Sequence, residues 1–404
     1  MIPRVRPSYS LAELRAAAGA HHEALPAFER ELAERFAVQH ALCFPYGRSA
    51  IYSCLRALNL AGDVVQPAYN CVVVAHATRL AGCRPVFVDA LPDSPNQDPL
   101  AMLEQVGPQT AAVIPTSIFG MTFDAPALCD AIRRRNPRAL IVMDACQCFD
   151  ARWHGDALAA QGDAAVVAFG IGKPMTTLFG GALLTNRDDL AAAVRRFRDA
   201  TFRQRSVPGV LLRWGYFLAS WAALTAPLVG ATDFLENGRT PLHRYLVRLR
   251  AREAIRLPAD ACVLPSSMEA AIGRTQLRRV DGFLERRRDI AAQYARELAD
   301  VEGLQLLDWA DGSAYAIYAA RVRRPERRAH AIAALHAAGV QADTTLSYVV
   351  PGLECYRATG YDATAFPNAV AWSRGVLNLP NHPTMTAAQV ARVVRSVRTV
   401  FAQA

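Results

Sequence analysis

Short apolar runs alternate with amphipathic stretches between about residues 41 and 185. The runs fall at 64–66, 85–88, 112–114, 140–143, 165–168 and 182–184, and each predicts a strand. Several contain no polar residue, the pattern of strands covered on both faces. Between them, 51–60 and 125–135 carry apolar residues at helical spacing. This βαβα order predicts a mostly parallel, doubly wound sheet. Ligands of such sheets bind beyond the carboxyl ends of the strands.

After residue 185 the pattern changes. An arginine-rich helix is predicted over 188–198, and a long one from Met268 through Arg274, Leu277 and Arg286 towards residue 298. The part from 301 onward mixes short strands and helices and ends in an amphipathic helix over 387–401. The chain therefore divides into a large domain, 1–260, and a smaller C-terminal α+β domain, 261–404. The large domain carries a hydrophobic insert at about 209–237. Its centre, 214–232, has Trp214 at its start and Thr232 at its end and contains no charge, while arginines flank it on both sides. A membrane-spanning helix needs ~20 apolar residues, and Gly215, Ser220, Thr225 and Pro227 dilute this one. Two readings stand: burial against a partner subunit or the small domain, and peripheral contact with an anionic lipid surface.

Composition narrows the function. A net charge of +9 spread along 404 residues suits anionic small molecules or an anionic membrane surface. No zinc-finger spacing or RNP-like aromatic motif supports a nucleic-acid partner. The nine cysteines follow no repeated spacing, and Cys146 and Cys148 form C-x-C rather than a C-x-x-C pair. No metal site is predicted. Reduced thiols in the cytoplasm are expected, and the first ten residues lack the apolar core of a secretory signal.

Lys173 is the only lysine, against 44 arginines. A guanidinium keeps its proton, whereas a primary amine can lose one and attack a carbonyl. A Schiff base with an aldehyde cofactor or a carbonyl substrate is the chemistry that needs an amine here; a lone surface-turn lysine is the plain alternative. Lys173 stands in F-G-I-G-K-P, after the strand at 165–168 that ends in Ala168. Asp144 closes the run 140–143, where a buried carboxylate needs a partner. A protonated pyridine nitrogen is one, and Gln147 is placed to reach an oxygen on the same ring. Gly47, Arg48, Ser49 and Ala50 precede the helix at 51–60, where first-turn N–H groups and the Ser49 hydroxyl suit a phosphate. A plain N-cap at Ser49, and a loop or helix cap at Asp144, are the alternatives.

Together these elements describe a pyridoxal phosphate (PLP) site. The order G-R-S-A-I (47–51), G-D-V-V-Q-P (62–67), G-C-R-P-V-F-V-D (82–89), D-A-C-Q (144–147), G-D-A-A (162–165), the Lys173 loop and N-L-P-N-H-P-T-M-T (378–386) closely resembles the DegT/DnrJ/EryC1/StrS aminotransferase family. The resemblance covers most of the chain. It implies PLP fold type I, an α/β fold with a mostly parallel seven-stranded sheet between helices. It also implies a homodimer with the site near the subunit interface, and amino transfer from an amino acid, commonly L-glutamate, to a keto sugar, nucleotide- or lipid-linked, or a related cyclitol. Lys173 and Asp144 become the catalytic pair, and Gly47, Arg48, Ser49, Cys71, Gln147 and Ala168 the other cofactor-binding positions. Relatives with histidine at the lysine position are dehydratases, so Lys173 argues for transamination. A PLP lyase or dehydratase, and a non-catalytic regulatory or scaffold protein, are the competing readings.

The chain departs from the family pattern in several places. Ala168 stands where relatives often have serine, and Cys71, beside Tyr69, takes the usual aromatic stacking position. Ser117 replaces a histidine, and Cys262-Val263-Leu264-Pro265 replaces N-Y-R-M. The same cofactor and reaction with a different acceptor is the expectation.

Overall fold

The computed structural model describes residues 1–223, 228 and 254–402. A seven-stranded sheet forms the centre of the large domain: β1 (His40–Phe44), β2 (Asp63–Pro67), β3 (Arg84–Val88), β4 (Thr110–Val113), β5 (Leu140–Asp144), β8 (Ala164–Ala168) and β9 (Gly181–Thr185). A two-residue hairpin, β6 (Arg152–Trp153) and β7 (Asp156–Ala157), lies outside it. The spatial order is β1-β9-β8-β5-β4-β2-β3. β3, β2, β4, β5 and β8 pair in parallel, and β9 runs antiparallel to β8 and β1. All six strands expected from sequence are present. β1 was not among them.

Alternation within the apolar runs explains why they carry no polar residue. Ile141, Met143, Val65, Val113, Ala165 and Val167 face α2 (Ala24–Phe36) and pack with Phe28, Leu32 and Phe36. Their neighbours Leu140, Val142, Val64, Ala112, Ala164 and Val166 face the other way and join Ala50, Ile51, Cys54 and Leu55 of α3 (Gly47–Ala57). Both sheet faces are thus covered, and each strand is apolar on both.

Two boundaries differ from expectation. The segment 47–50 is the first turn of α3, not a loop before it. Tyr46 is the extended residue before the helix, and its carbonyl accepts from Ser49 N at 3.1 Å and Ala50 N at 3.2 Å. The long helix at 268–298 is two helices, Ser267–Leu277 and Val280–Glu297, broken where Arg279 (φ −112°, ψ −4°) leaves helical geometry.

A three-stranded antiparallel sheet, β10 (Leu304–Leu306), β11 (Tyr318–Val322) and β12 (Val376–Leu379), carries the second core with the helices Arg328–Ala337 and Ala387–Ala402. Ala270, Leu277, Val280 and Leu284 still belong to the large core, while the second begins at Ile290. The apolar packing therefore changes over within Val280–Glu297, later than the 260/261 division suggested by sequence. Of the insert at 209–237, the part up to Ala223 lies on α8 (Val207–Ala223), and the rest, Leu228 excepted, falls outside the described residues. Among the described residues no helix is long and apolar enough to cross a membrane.

Candidate active site

The sheet topology gathers the expected residues at one edge. β1 and β8 both run antiparallel to β9, so their carboxyl ends lie on the same side as that of β5. β1 feeds α3 there, β5 ends in Asp144, β8 ends in Ala168, and the Lys173 loop joins β8 back to β9.

Asp144 is buried at 4% exposure. Its Oδ1 accepts from Cys146 N at 3.1 Å. Burial is the largest influence on the carboxyl and raises its pKa; the Cys146 thiol and N–H, the Lys173 charge and the Thr116 hydroxyl pull it down without cancelling that rise. Asp144 has no salt bridge within 4 Å among the described residues. It is a buried carboxylate short of a counter-ion.

Lys173 is half-buried, with its N–H bonded to Gly170 O at 2.9 Å. The loop is closed by Thr177 N and Thr176 Oγ1, which donate to Phe169 O at 3.0 and 3.1 Å. The Lys173 charge acts on Asp144, Cys146 and Cys148 together, so the loop brings it within electrostatic reach of the end of β5.

Gly47 opens α3 against this edge. A Cβ there would come within 2.9 Å of Cys146 Sγ and 3.3 Å of Ala168 Cβ, which only glycine avoids. The helix start offers N–H groups without helical acceptors. Ser49 contributes less than expected: its hydroxyl donates to Ala261 O at 2.8 Å, so that proton is already committed. The Arg48 guanidinium lies 5.6 Å from the Tyr46 ring centroid. Burial, then the Arg48 charge, pushes His76 down to about 4.

Cys71 precedes α4 (Val72–Leu80), and its electrostatic influence reaches Cys146. Gln147 Oε1 accepts from Phe119 N at 3.0 Å, which fixes the amide with its NH2 as the donating end. Ser117 is buried and turned away, donating to Met121 O at 2.7 Å. Sequence reasoning passed over Asn70 and Thr116. Asn70 Nδ2 donates to Thr116 Oγ1 at 2.9 Å, and Asn70 Oδ1 accepts from Cys71 N at 2.6 Å, so one amide links Cys71 to the residue that touches Asp144. The signal was available: both lie just beyond the carboxyl ends of parallel strands, where polar residues collect around ligands.

The assembled site offers an amine, a buried anionic acceptor and a helix N-terminus at one edge of the sheet. It can bond to a carbonyl, hold a cationic ring nitrogen and bind an anion.

Comparison with known proteins identifies relatives of the chain as a whole. The model of the DegT/DnrJ/EryC1/StrS aminotransferase family matches residues 13–213 and 266–398. The chain is 27% identical over 382 residues to dTDP-3-amino-3,4,6-trideoxy-alpha-D-glucose transaminase of Streptomyces venezuelae, covering 93% of this chain and 86% of the relative. It is 27% identical over 277 residues to GDP-perosamine synthase of Caulobacter vibrioides, covering 67% and 61%. In fold it resembles Helicobacter pylori PseC, an aminotransferase involved in the biosynthesis of pseudoaminic acid, with a TM-score of 0.80, 18% identity and 100% of both chains covered. A putative sugar aminotransferase from Streptococcus pneumoniae in its PLP form gives a TM-score of 0.78 at 20% identity, covering 100% of this chain and 99% of that one.

Proposed function

The chain belongs to the DegT/DnrJ/EryC1/StrS aminotransferase family and is a PLP-dependent aminotransferase; on that premise we propose that it moves an amino group from L-glutamate to a keto sugar carried on a nucleotide or a lipid, or to a related cyclitol. The names of the relatives, a dTDP-sugar transaminase and a GDP-perosamine synthase, support a sugar acceptor and favour a nucleotide carrier. The observation that carries the reading is Asp144: a buried carboxylate without a salt bridge among the described residues, within electrostatic reach of the chain's one lysine.

The residues fit the cofactor. A ring N–H⁺ would give Asp144 the cation it lacks. The start of α3, with the backbone N–H groups of Gly47 and Arg48, would hold the phosphate, since Ser49 N is already bonded to Tyr46 O. The Gln147 NH2 would be the donor for the ring oxygen, Cys71 would stand beside the ring, and Ala168, lacking a hydroxyl, would leave the phosphate to α3. When bound, PLP supplies an electrophilic aldehyde and an electron-withdrawing ring. Lys173 would hold the aldehyde through its amine, and the same amine would serve as the proton carrier at the substrate carbon. Asp144 keeps the ring nitrogen protonated. Cys71, narrower than an aromatic, leaves room beside the ring for the acceptor.

A homodimer with the site near the subunit interface, a cytoplasmic location and a peripheral membrane contact within 214–232 belong to the same proposal. The nine free cysteines support the location. The test is spectroscopic. An absorbance band near ~420 nm should move to ~330 nm on adding L-glutamate, as amino transfer to the cofactor requires. Persistence of the first band with every amino acid tried would overturn the reading.

A further inference from the structure

Helix α8 is inverted relative to an ordinary surface helix, which turns its charges outward. Its only charged residue, Arg213, points inward and is 8% exposed. Arg213 pairs with Asp260 at 2.6 Å and with Glu269 at 3.3 Å, and its guanidinium sits 3.8 Å over the Phe179 ring. Phe217 and Ser220 are buried on the same side, and Tyr9 packs edge-on against Phe217. These contacts fix the rotation of the helix.

The opposite face is apolar and largely exposed. Val207 is 73% exposed, Leu212 75% and Leu211 64%, with Tyr216 and Leu218 also exposed. Five of the eight large hydrophobic residues that stand exposed among the described residues lie on this helix. Pro208, Gly215, Ala219 and Ala222 fill the remaining exposed positions, so no charge interrupts the face. The family match ends at residue 213 and resumes at 266, so the face from Gly215 onward lies outside the shared sequence pattern, while Val207, Leu211 and Leu212 lie within it.

We propose that this face docks in the plane of an anionic lipid bilayer, a step that rests on the peripheral contact included above. The charge pattern selects that occupant. Arg195, Arg196 and Arg203 are exposed just before the helix. In sequence, six arginines follow between 239 and 256 against the single acid Glu253. An anionic headgroup layer accepts both an apolar face and arginines that flank it in sequence. A second copy meeting the face across a two-fold axis would instead bring like-charged flanks together. Helix α8 is about 25 Å long at 1.5 Å per residue, and lies on the surface rather than spanning it.

The test uses the full chain loaded with PLP and floated with vesicles. Binding is expected to phosphatidylglycerol/phosphatidylcholine vesicles and to be much weaker with phosphatidylcholine alone. Leu211→Glu with Leu212→Glu should cut partitioning at least about tenfold, and Leu212→Ser should give a smaller cut in the same direction. Both positions are exposed, so folding and the ~420 nm band should be unchanged. Equal partitioning of native and variant chains would overturn the proposal. So would a native chain that ignores vesicles and loses a dimer on substitution, which would give the face to a second copy. The amino-transfer reading fails separately, by the glutamate-induced shift, since flotation needs no turnover.

Discussion

Two buried charged regions of this protein are solved in opposite ways. Around α8, Arg205 and Arg213 meet Asp260 and Glu269 in a closed set, with contacts from 2.6 to 3.7 Å. Tyr46 adds a hydrogen bond to Asp260 Oδ1 at 2.7 Å. At the end of β5, Asp144 has neutral donors and one nearby amine but no ion pair, and burial leaves its pKa raised. Paired buried charges satisfy one another and can serve structure alone. A buried carboxylate left short of a cation costs stability unless a ligand supplies the cation. The difference separates a network that holds the fold from a residue proposed to meet a cofactor, although both look equally polar.

The sharpest way to break that contrast is at Lys173. Lys173→Arg keeps the charge beside Asp144 but cannot bond to an aldehyde. Turnover should fall by roughly a hundredfold to ten-thousandfold, with loss of the ~420 nm band; steady-state rates at saturating cofactor check it. Retained turnover would remove Lys173 from the chemistry.

Arg213→Met tests the paired region. It strands Glu269 and part of Asp260, with Arg205 left to compensate. Stability should drop by about 3 kcal/mol, read from the urea midpoint at neutral pH. A shift below about 1 kcal/mol would show that the network is no more than a set of surface-like pairs.

Asp144→Asn tests the unpaired region and should act in the reverse sense. The cofactor-free protein should keep or gain stability, by on the order of 1 kcal/mol, while PLP stabilises it less and turnover falls. The pH dependence follows from the sign of the shift. Burial raises the folded pKa, so between the ordinary value of about 3.9 and the raised one the folded state binds more protons than the unfolded chain. Stability of the cofactor-free protein from this group is therefore lost as pH rises through that window. Melting temperatures of native and Asp144→Asn chains across that range should converge on the acid side and separate on the alkaline side. Parallel curves would mean that Asp144 is not strained by burial.

Much of this was legible along the chain because the local rules agree. The runs at 140–143 and 165–168 could only be strands covered on both faces, and their ends marked Asp144 and Ala168. A lone lysine after such a strand pointed to amine chemistry without any structure. β1 escaped notice because His40–Phe44 opens on histidine and holds no β-branched residue. The role given to the Ser49 hydroxyl was partly displaced because Ala261, 212 residues away in sequence, takes its proton. Asn70 and Thr116 read as ordinary polar residues until the sheet order set β2 and β4 beside β5.

What the sequence determined by itself was the alternation of elements, the chemistry of Lys173 and Asp144, and the uncharged stretch after Trp214. These depend on residue type and short spacing, which the chain states directly. Only the tertiary structure decided which polar groups meet and which way α8 faces. Hydrogen-bond partners and helix rotation are set by distant neighbours: Asp260 and Glu269 turn Arg213 inward, and the apolar side is outward as a consequence.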